Sequence, residues 1–238
     1  MRCCLIIVAK EPVAGQVKTR LAARIGTERT LALYNCFLRD TAALAEQLPD
    51  TALAFSFWPA TAAPFFRELR PDALLFPQHG DDFGSRLLSG FEQAAAHGFD
   101  AMVVIGSDNP GLPAAYIGQA FAALRDYPVV LGPADDGGYY LLGMRTPQPA
   151  LFHQGIVWST ELVAQQTCAA AAAAGLTMAH VPAWYDIDNA ADLPHLYRDL
   201  RAAHLGAYAP QTLAQLEAMA QDGLADLLPD SRPTAMER

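Results

Sequence analysis

Apolar and polar positions fall into alternating blocks along this chain. Leu5-Ile6-Ile7-Val8-Ala9 is an unbroken apolar run of strand length, and Ala101-Met102-Val103-Val104-Ile105 is another. Continuous runs of this kind suit central parallel strands covered on both faces. Shorter runs at Ala52 to Phe57, Ala73 to Phe76, Val129 to Leu131, Tyr139 to Leu142 and Thr177 to Val181 predict further strands. Between them the period lengthens. Phe83, Leu87, Phe91 and Ala94 mark one face of a helix over 83–96. Two helical segments fill the stretch from about Lys18 to Gln47, with Thr27 suited to the N-cap of the second. Helices are also predicted over 60–69, from Pro113 to about Arg125, over 160–174 with Gly175 as its stop, and over 190–203.

Strands alternating with helices predict a three-layer α/β/α architecture around a mostly parallel, mixed sheet. The alternation ends near residue 203. We expect one domain over 1–203 and a C-terminal appendage over 204–238. That appendage comprises a helix over 210–221 and a polar, proline-containing, frayed end at 229–238.

Composition narrows the function. Of 238 residues, 52% are hydrophobic and 17% charged, which fits a folded core and not a disordered chain. The net charge of -9 argues against a nucleic-acid partner, because a phosphate backbone demands clustered positive charge. No apolar run approaches the ~20 residues a membrane span needs, and the run at 5–9 is too short for a secretory leader. We expect a cytoplasmic protein with no membrane partner. Cys3, Cys4, Cys36 and Cys168 show no metal-finger spacing and read as reduced thiols.

In doubly wound sheets ligands bind beyond the carboxyl ends of strands, so the loops there carry the candidate chemistry. The loop after the first strand runs Lys10-Glu11-Pro12-Val13-Ala14-Gly15-Gln16-Val17-Lys18-Thr19-Arg20. It matches neither a dinucleotide-binding glycine pattern nor a P-loop. It does hold both lysines of the protein, and Arg20 stands two residues on. Exposed cations beside a helix start form a site for phosphates.

Four acidic turns follow other strands. Asp108, in Gly106-Ser107-Asp108-Asn109-Pro110, is placed for a catalytic cation or for a turn cap. Asp186 and Asp188 flank one apolar residue and point the same way on an extended segment, while Asp188 or Asn189 can cap the helix from Ala190. Asp135-Asp136-Gly137-Gly138 reads equally as a hairpin turn and as a side-chain-free wall that admits substrate, with Asp135 or Asp136 as a base or a polar contact. Arg86, after Gly80-Asp81-Asp82, is a further phosphate candidate. His79 and Trp158 read as structural residues, and Ser159 or Thr160 as a helix cap.

Four motifs stand in order: Lys10-x-Pro12-x-x-Gly15-x-Val17-Lys18-Thr19-Arg20-Leu21, Gly106-Ser107-Asp108-x-Pro110, Gly132-Pro133-Ala134-Asp135-Asp136-Gly137-Gly138-Tyr139-Tyr140, and Asp186-Ile187-Asp188-x-Ala190-x-Asp192-Leu193. Together they resemble the DUF2064 family over about residues 3–200. Members of that family are often described as glycosyltransferases associated with radical-SAM or arsenosugar pathways. The resemblance implies the GT-A nucleotide-diphospho-sugar transferase fold. The chain is also similar to 2-phospholactate guanylyltransferase and to molybdenum-cofactor nucleotidyltransferases.

By that resemblance Lys18 and Arg20 hold donor phosphates, and Asp108 and Asp188 coordinate Mg²⁺ or Mn²⁺. Lys10, Gly15, Arg86, Gly137 and Gly138 complete the expected donor site, with Asp136 as a catalytic carboxylate. The chain departs from the family at Asn109, where Cys is usual, and at Asn189-Ala190, where Thr-Pro is usual. The expected activity is metal-dependent glycosyl transfer from a nucleotide-sugar to a small acceptor. The alternatives are nucleotidyl transfer from a nucleoside triphosphate to a phosphorylated acceptor, with release of pyrophosphate, and a non-catalytic nucleotide-binding domain.

Overall fold

In the computed structural model, residues 1–202 and 207–228 are described. The expected domain boundary at 203/204 and the expected frayed end at 229–238 lie outside the described residues. Seven strands form one sheet in the order β3-β2-β1-β4-β6-β5-β7. They are β1 (Cys3–Lys10), β2 (Thr51–Trp58), β3 (Leu74–Pro77), β4 (Ala101–Gly106), β5 (Val129–Pro133), β6 (Tyr139–Met144) and β7 (Met178–His180). Only β6 runs against its neighbours, pairing antiparallel with both β4 and β5. The sheet is therefore mixed and mostly parallel, as the block pattern predicts.

The helices are α1 (Thr19–Ile25), α2 (Thr27–Ala43), α3 (Ala63–Leu69), α4 (Phe83–Ala96), α5 (Ala114–Ala123), α6 (Val163–Ala173), α7 (Leu193–Arg201) and α8 (Pro210–Met219). Leu5, Ile7, Val103 and Ile105 point into one apolar cluster, while Cys4, Ile6, Met102 and Val104 point into the other. This two-sided burial is what removes polar residues from the central strands. Leu216 and Met219 of α8 are buried in the same cluster as Leu33 and Phe37 of α2.

Several boundaries move. Gly26, with φ 88°, and not Thr27, occupies the N-cap of α2. Thr160 and Glu161 remain in a turn, and α6 begins at Val163 with Leu162 at its N-cap and no side-chain capping bond. Neither Ser159 nor Thr160 caps it: Ser159 stands at φ 64°, and the Thr160 hydroxyl turns back to the Val157 carbonyl. The segment from Ala190 opens as a single 3₁₀ turn before α7.

The connections create a crevice. From β1 the chain adds β2 and β3 on one side, then returns across the sheet to place β4 on the other side of β1. That reversal makes the carboxyl ends of β1 and β4 the switch point where such sheets bind ligands.

Candidate active site

A cavity of about 460 Å³ opens at this switch point, lined among others by Lys10, Lys18, Tyr34, Gln78, Arg86, Ser107, Asp108, Tyr139 and Asp186. Its position follows from the strand ends. β1 keeps pairing with β2 as far as Lys10, whereas its pairing with β4 ends at Val8 opposite Gly106. Beyond that point the two chains part.

Lys18 lies at the N-cap of α1 in the left-handed conformation, φ 46° and ψ 47°. Its ammonium is 2.8 Å from Asp108 Oδ2 and 3.1 Å from Asp188 Oδ1, and it donates to the Ile187 carbonyl. Two oxygens sharing one ammonium lie no further apart than those lengths laid end to end, 5.9 Å. The two carboxylates expected to converge therefore do so. The expectation of an exposed Lys18 is corrected: its side chain is 7% exposed, against 38% for Asp108 and 48% for Asp188. Burial works to lower its pKa, but Asp108 and Asp188 outweigh this and raise it, so the group stays charged.

Proximity to one sheet edge alone does not bring Asp188 to Asp108. β7 is separated from β4 by β5 and β6. After β7 the chain turns back over the ends of those strands. Trp184 N–H donates to Pro133 and Asp135 N–H to Trp184, and Ile187 N–H reaches the Asp108 carbonyl at 3.0 Å. Asp188 is free for the site because Asn189 takes over the capping, with its side chain accepting from Ala191 N–H at 2.8 Å. Asp192 closes the capping box on the amides of Asp188 and Asn189.

Asp186 lies in the same pocket, and Asn109 Nδ2 donates to it at 3.2 Å. Burial, reinforced by the negative charges of Asp108, Asp188 and Asp136 and opposed by Lys18, pushes its pKa up to about 7. Asn109 keeps its side-chain oxygen buried without a partner. Asp136 is exposed, accepts the Gly138 amide at 2.9 Å, and borders a groove shared with Arg20, Asp108, Asp186 and Asp188.

The other expected residues divide. Lys10 and Arg86 line the cavity, Arg86 with its guanidinium 4.5 Å above the Trp58 ring and Nε bonded to the Gly80 carbonyl. Arg20 is exposed on the neighbouring groove. Gly15 is exposed at φ 75°, at a turn of the loop, and lines none of these spaces. Gly138 borders the groove. Gly137, at φ 86°, has its missing side chain turned to the Glu161 backbone, where a Cβ would fall 2.1 Å from the carbonyl oxygen. Its absence of a side chain makes room for the chain itself. Tyr34, Gln78 and Tyr139 escape the sequence reading. A tyrosine at the apolar face of α2 and an aromatic inside an apolar strand carry no local mark that separates a lining residue from a core one.

Residues 41–160 match the model described as "Uncharacterized protein conserved in bacteria (DUF2064)". The chain belongs to the DUF2064 family. Similar to it is a Desulfovibrio desulfuricans G20 protein provisionally described as a nucleotide-diphospho-sugar transferase, 31% identical, with TM-score 0.87 over 96% of this chain and 99% of that one. A cytidylyltransferase from Leptospira borgpetersenii serovar Hardjo-bovis shares the fold at 12% identity, with TM-score 0.53 over 98% of each chain. So does 4-diphosphocytidyl-2C-methyl-D-erythritol synthase from Anaerococcus prevotii DSM 20548, at 8% identity, with TM-score 0.53 over 90% of this chain and 98% of that one. No curated protein matches the sequence. This DUF2064 chain thus has the nucleotide-diphospho-sugar transferase architecture, and no helix among its described residues is long and apolar enough to cross a membrane.

Proposed function

We propose that the protein is a metal-dependent transferase that takes a nucleotide-activated donor and transfers a sugar. The observation that carries this reading is the convergence of Asp108 and Asp188 on Lys18 at the mouth of a cavity beside the β1 loop. Asp186 lines the same cavity as Lys18, and Asp136 borders the adjoining groove. Two hard carboxylates, Asp108 and Asp188, fit Mg²⁺ or Mn²⁺, which take few protein ligands beside donor phosphates. Among the described residues no three or more His, Cys, Asp or Glu side chains form a metal cage by themselves. Asp108 and Asp188 are the residues that would hold the ion. An ion held there would supply positive charge opposite the departing phosphates.

Lys10 and Arg86 line the cavity and Arg20 the adjoining groove, where they would face the donor phosphates. The name given to the Desulfovibrio relative supports a nucleotide-sugar as that donor. In the transfer, an acceptor hydroxyl oxygen bonds to the anomeric carbon. The bond from that carbon to the phosphate oxygen breaks, and the electron pair leaves with the nucleoside diphosphate. The hydroxyl proton passes to a carboxylate on the groove, and Asp136 is exposed there to take it.

A panel of nucleotide-sugars and nucleoside triphosphates with Mn²⁺ tests this by thermal shift, since ligand bound to the native state raises stability by mass action. Nucleotide-sugars, and nucleoside diphosphate as product, are expected to stabilise the protein. Stabilisation by triphosphates alone, with pyrophosphate as product, would establish nucleotidyl transfer instead. Tight binding with no turnover of any donor would leave a nucleotide-binding domain.

A further inference from the structure

The parting of β1 from β4 poses a hydrogen-bonding problem. Lys10 extends two residues past the last β1–β4 pair, so β4 offers its amide and carbonyl no ladder partner on that side. The Tyr34 hydroxyl, on α2, fills the gap. It stands 3.3 Å from both the nitrogen and the carbonyl oxygen of Lys10, and 3.2 Å from Ser107 Oγ. One proton assignment satisfies all three contacts: Tyr34 donates to the Lys10 carbonyl and accepts from the Lys10 amide and the Ser107 hydroxyl. Tyr34 is 4% exposed and Ser107 is buried, so these groups depend on one another for partners.

Each arm of this contact leads into the site. Lys10 begins the loop that ends at Lys18, and Ser107 precedes Asp108. We infer that Tyr34 is a positioning residue whose hydroxyl replaces the missing ladder partner and fixes the phosphate-facing loop against the Asp108 turn, setting the width of the donor crevice. This rests on the donor reading given above for the ligand it serves, but the latch itself is a property of the free protein. The phenol stays protonated: burial, with Asp108 adding to it and Ser107, Lys10 and Lys18 opposing, pushes its pKa up to about 12.

Tyr34→Phe removes the hydroxyl and keeps the ring in the core. Two measurements on the full chain at 25 °C decide the inference. In the free protein, hydrogen exchange at the Lys10 amide should accelerate at least tenfold, with the β5 and β6 amides unchanged. With Mn²⁺ and UDP, GDP and CDP as probes, the dissociation constant of whichever wild type binds should rise at least fivefold. Wild-type exchange at Lys10, or faster exchange with wild-type affinity, would overturn the positioning role. If wild type binds none of the three nucleotides, the exchange result alone decides the latch. Should Tyr34→Phe not fold, Ser107→Ala removes one arm only. Faster Lys10 amide exchange in the free protein together with weaker nucleotide binding then supports the inference, and wild-type exchange or wild-type binding overturns it.

Discussion

Lys18 has two tasks that pull in opposite directions. Its ammonium neutralises Asp108 and Asp188, yet the same groups are the ones placed to hold a cation. Lys18→Ala leaves two carboxylates facing each other without a counter-charge. It should lower stability by about 1–2 kcal/mol, a figure discounted because both carboxylates are partly solvated. Urea unfolding of the metal-free protein would measure it, and added Mn²⁺ should restore part of the loss. Asp186 supplies a pH test. Its folded pKa, about 7, lies above the ordinary carboxylate value, so between about pH 4 and 7 the native state holds a proton that the unfolded state has lost. Its contribution to the metal-free protein is therefore present at the acid end and is lost as pH rises through 7. Asp186→Asn should flatten that slope in unfolding midpoints taken across the range. An unchanged slope would assign the titration to another group.

At the scale of elements, the 134–138 turn is decided by packing. It joins the antiparallel pair β5 and β6, with Ala134 N–H donating to Gly138 and Gly137 N–H to Ala134. The two glycines differ in place: Gly137 is conformational, and Gly138 borders the groove. Gly137→Val puts a β-branched side chain at φ 86° and into the Glu161 backbone, so it should cost more than 2 kcal/mol and lower the melting temperature. Full stability with reduced turnover would return the residue to the substrate wall. The segment after β7 shows the complementary case. Its alternation of Asp186, Ile187 and Asp188 is legible as an extended chain with both carboxylates on one side, and Ile187 is fully buried as that requires. The division of labour with Asn189 is set by backbone geometry, because only the Asn189 side chain reaches the Ala191 amide.

Across the whole molecule, the C-terminal helix is tied to the second helix by one buried carboxylate. Asp40 accepts from the amides of Gln211 and Thr212, 171 and 172 residues away, at 3.2 and 2.7 Å, and so caps α8 from outside it. Burial raises its pKa against these bonds. Asp40→Ala leaves two amides without partners and should cost about 2 kcal/mol. Hydrogen exchange should quicken first in α8, before the central strands. Uniform acceleration across the chain would mean that α8 unfolds only with the rest.

The sequence by itself determined the layered α/β class, because unbroken apolar runs of strand length alternate with segments of helical period. It determined the loop of cations after β1 and the acidic turns, because polar residues at strand ends are not required by the core and stand out against it. Only the tertiary structure decided which of them meet. Asp188 reaches Asp108 because the chain after β7 folds back over two intervening strands, and no spacing along the sequence encodes that path. Lys18 is buried between carboxylates 90 and 170 residues away, so its exposure could not be read from its neighbours. Tyr34 is invisible for the same reason. Its hydroxyl answers a vacancy left where two strands diverge, and that vacancy exists only once the sheet has formed.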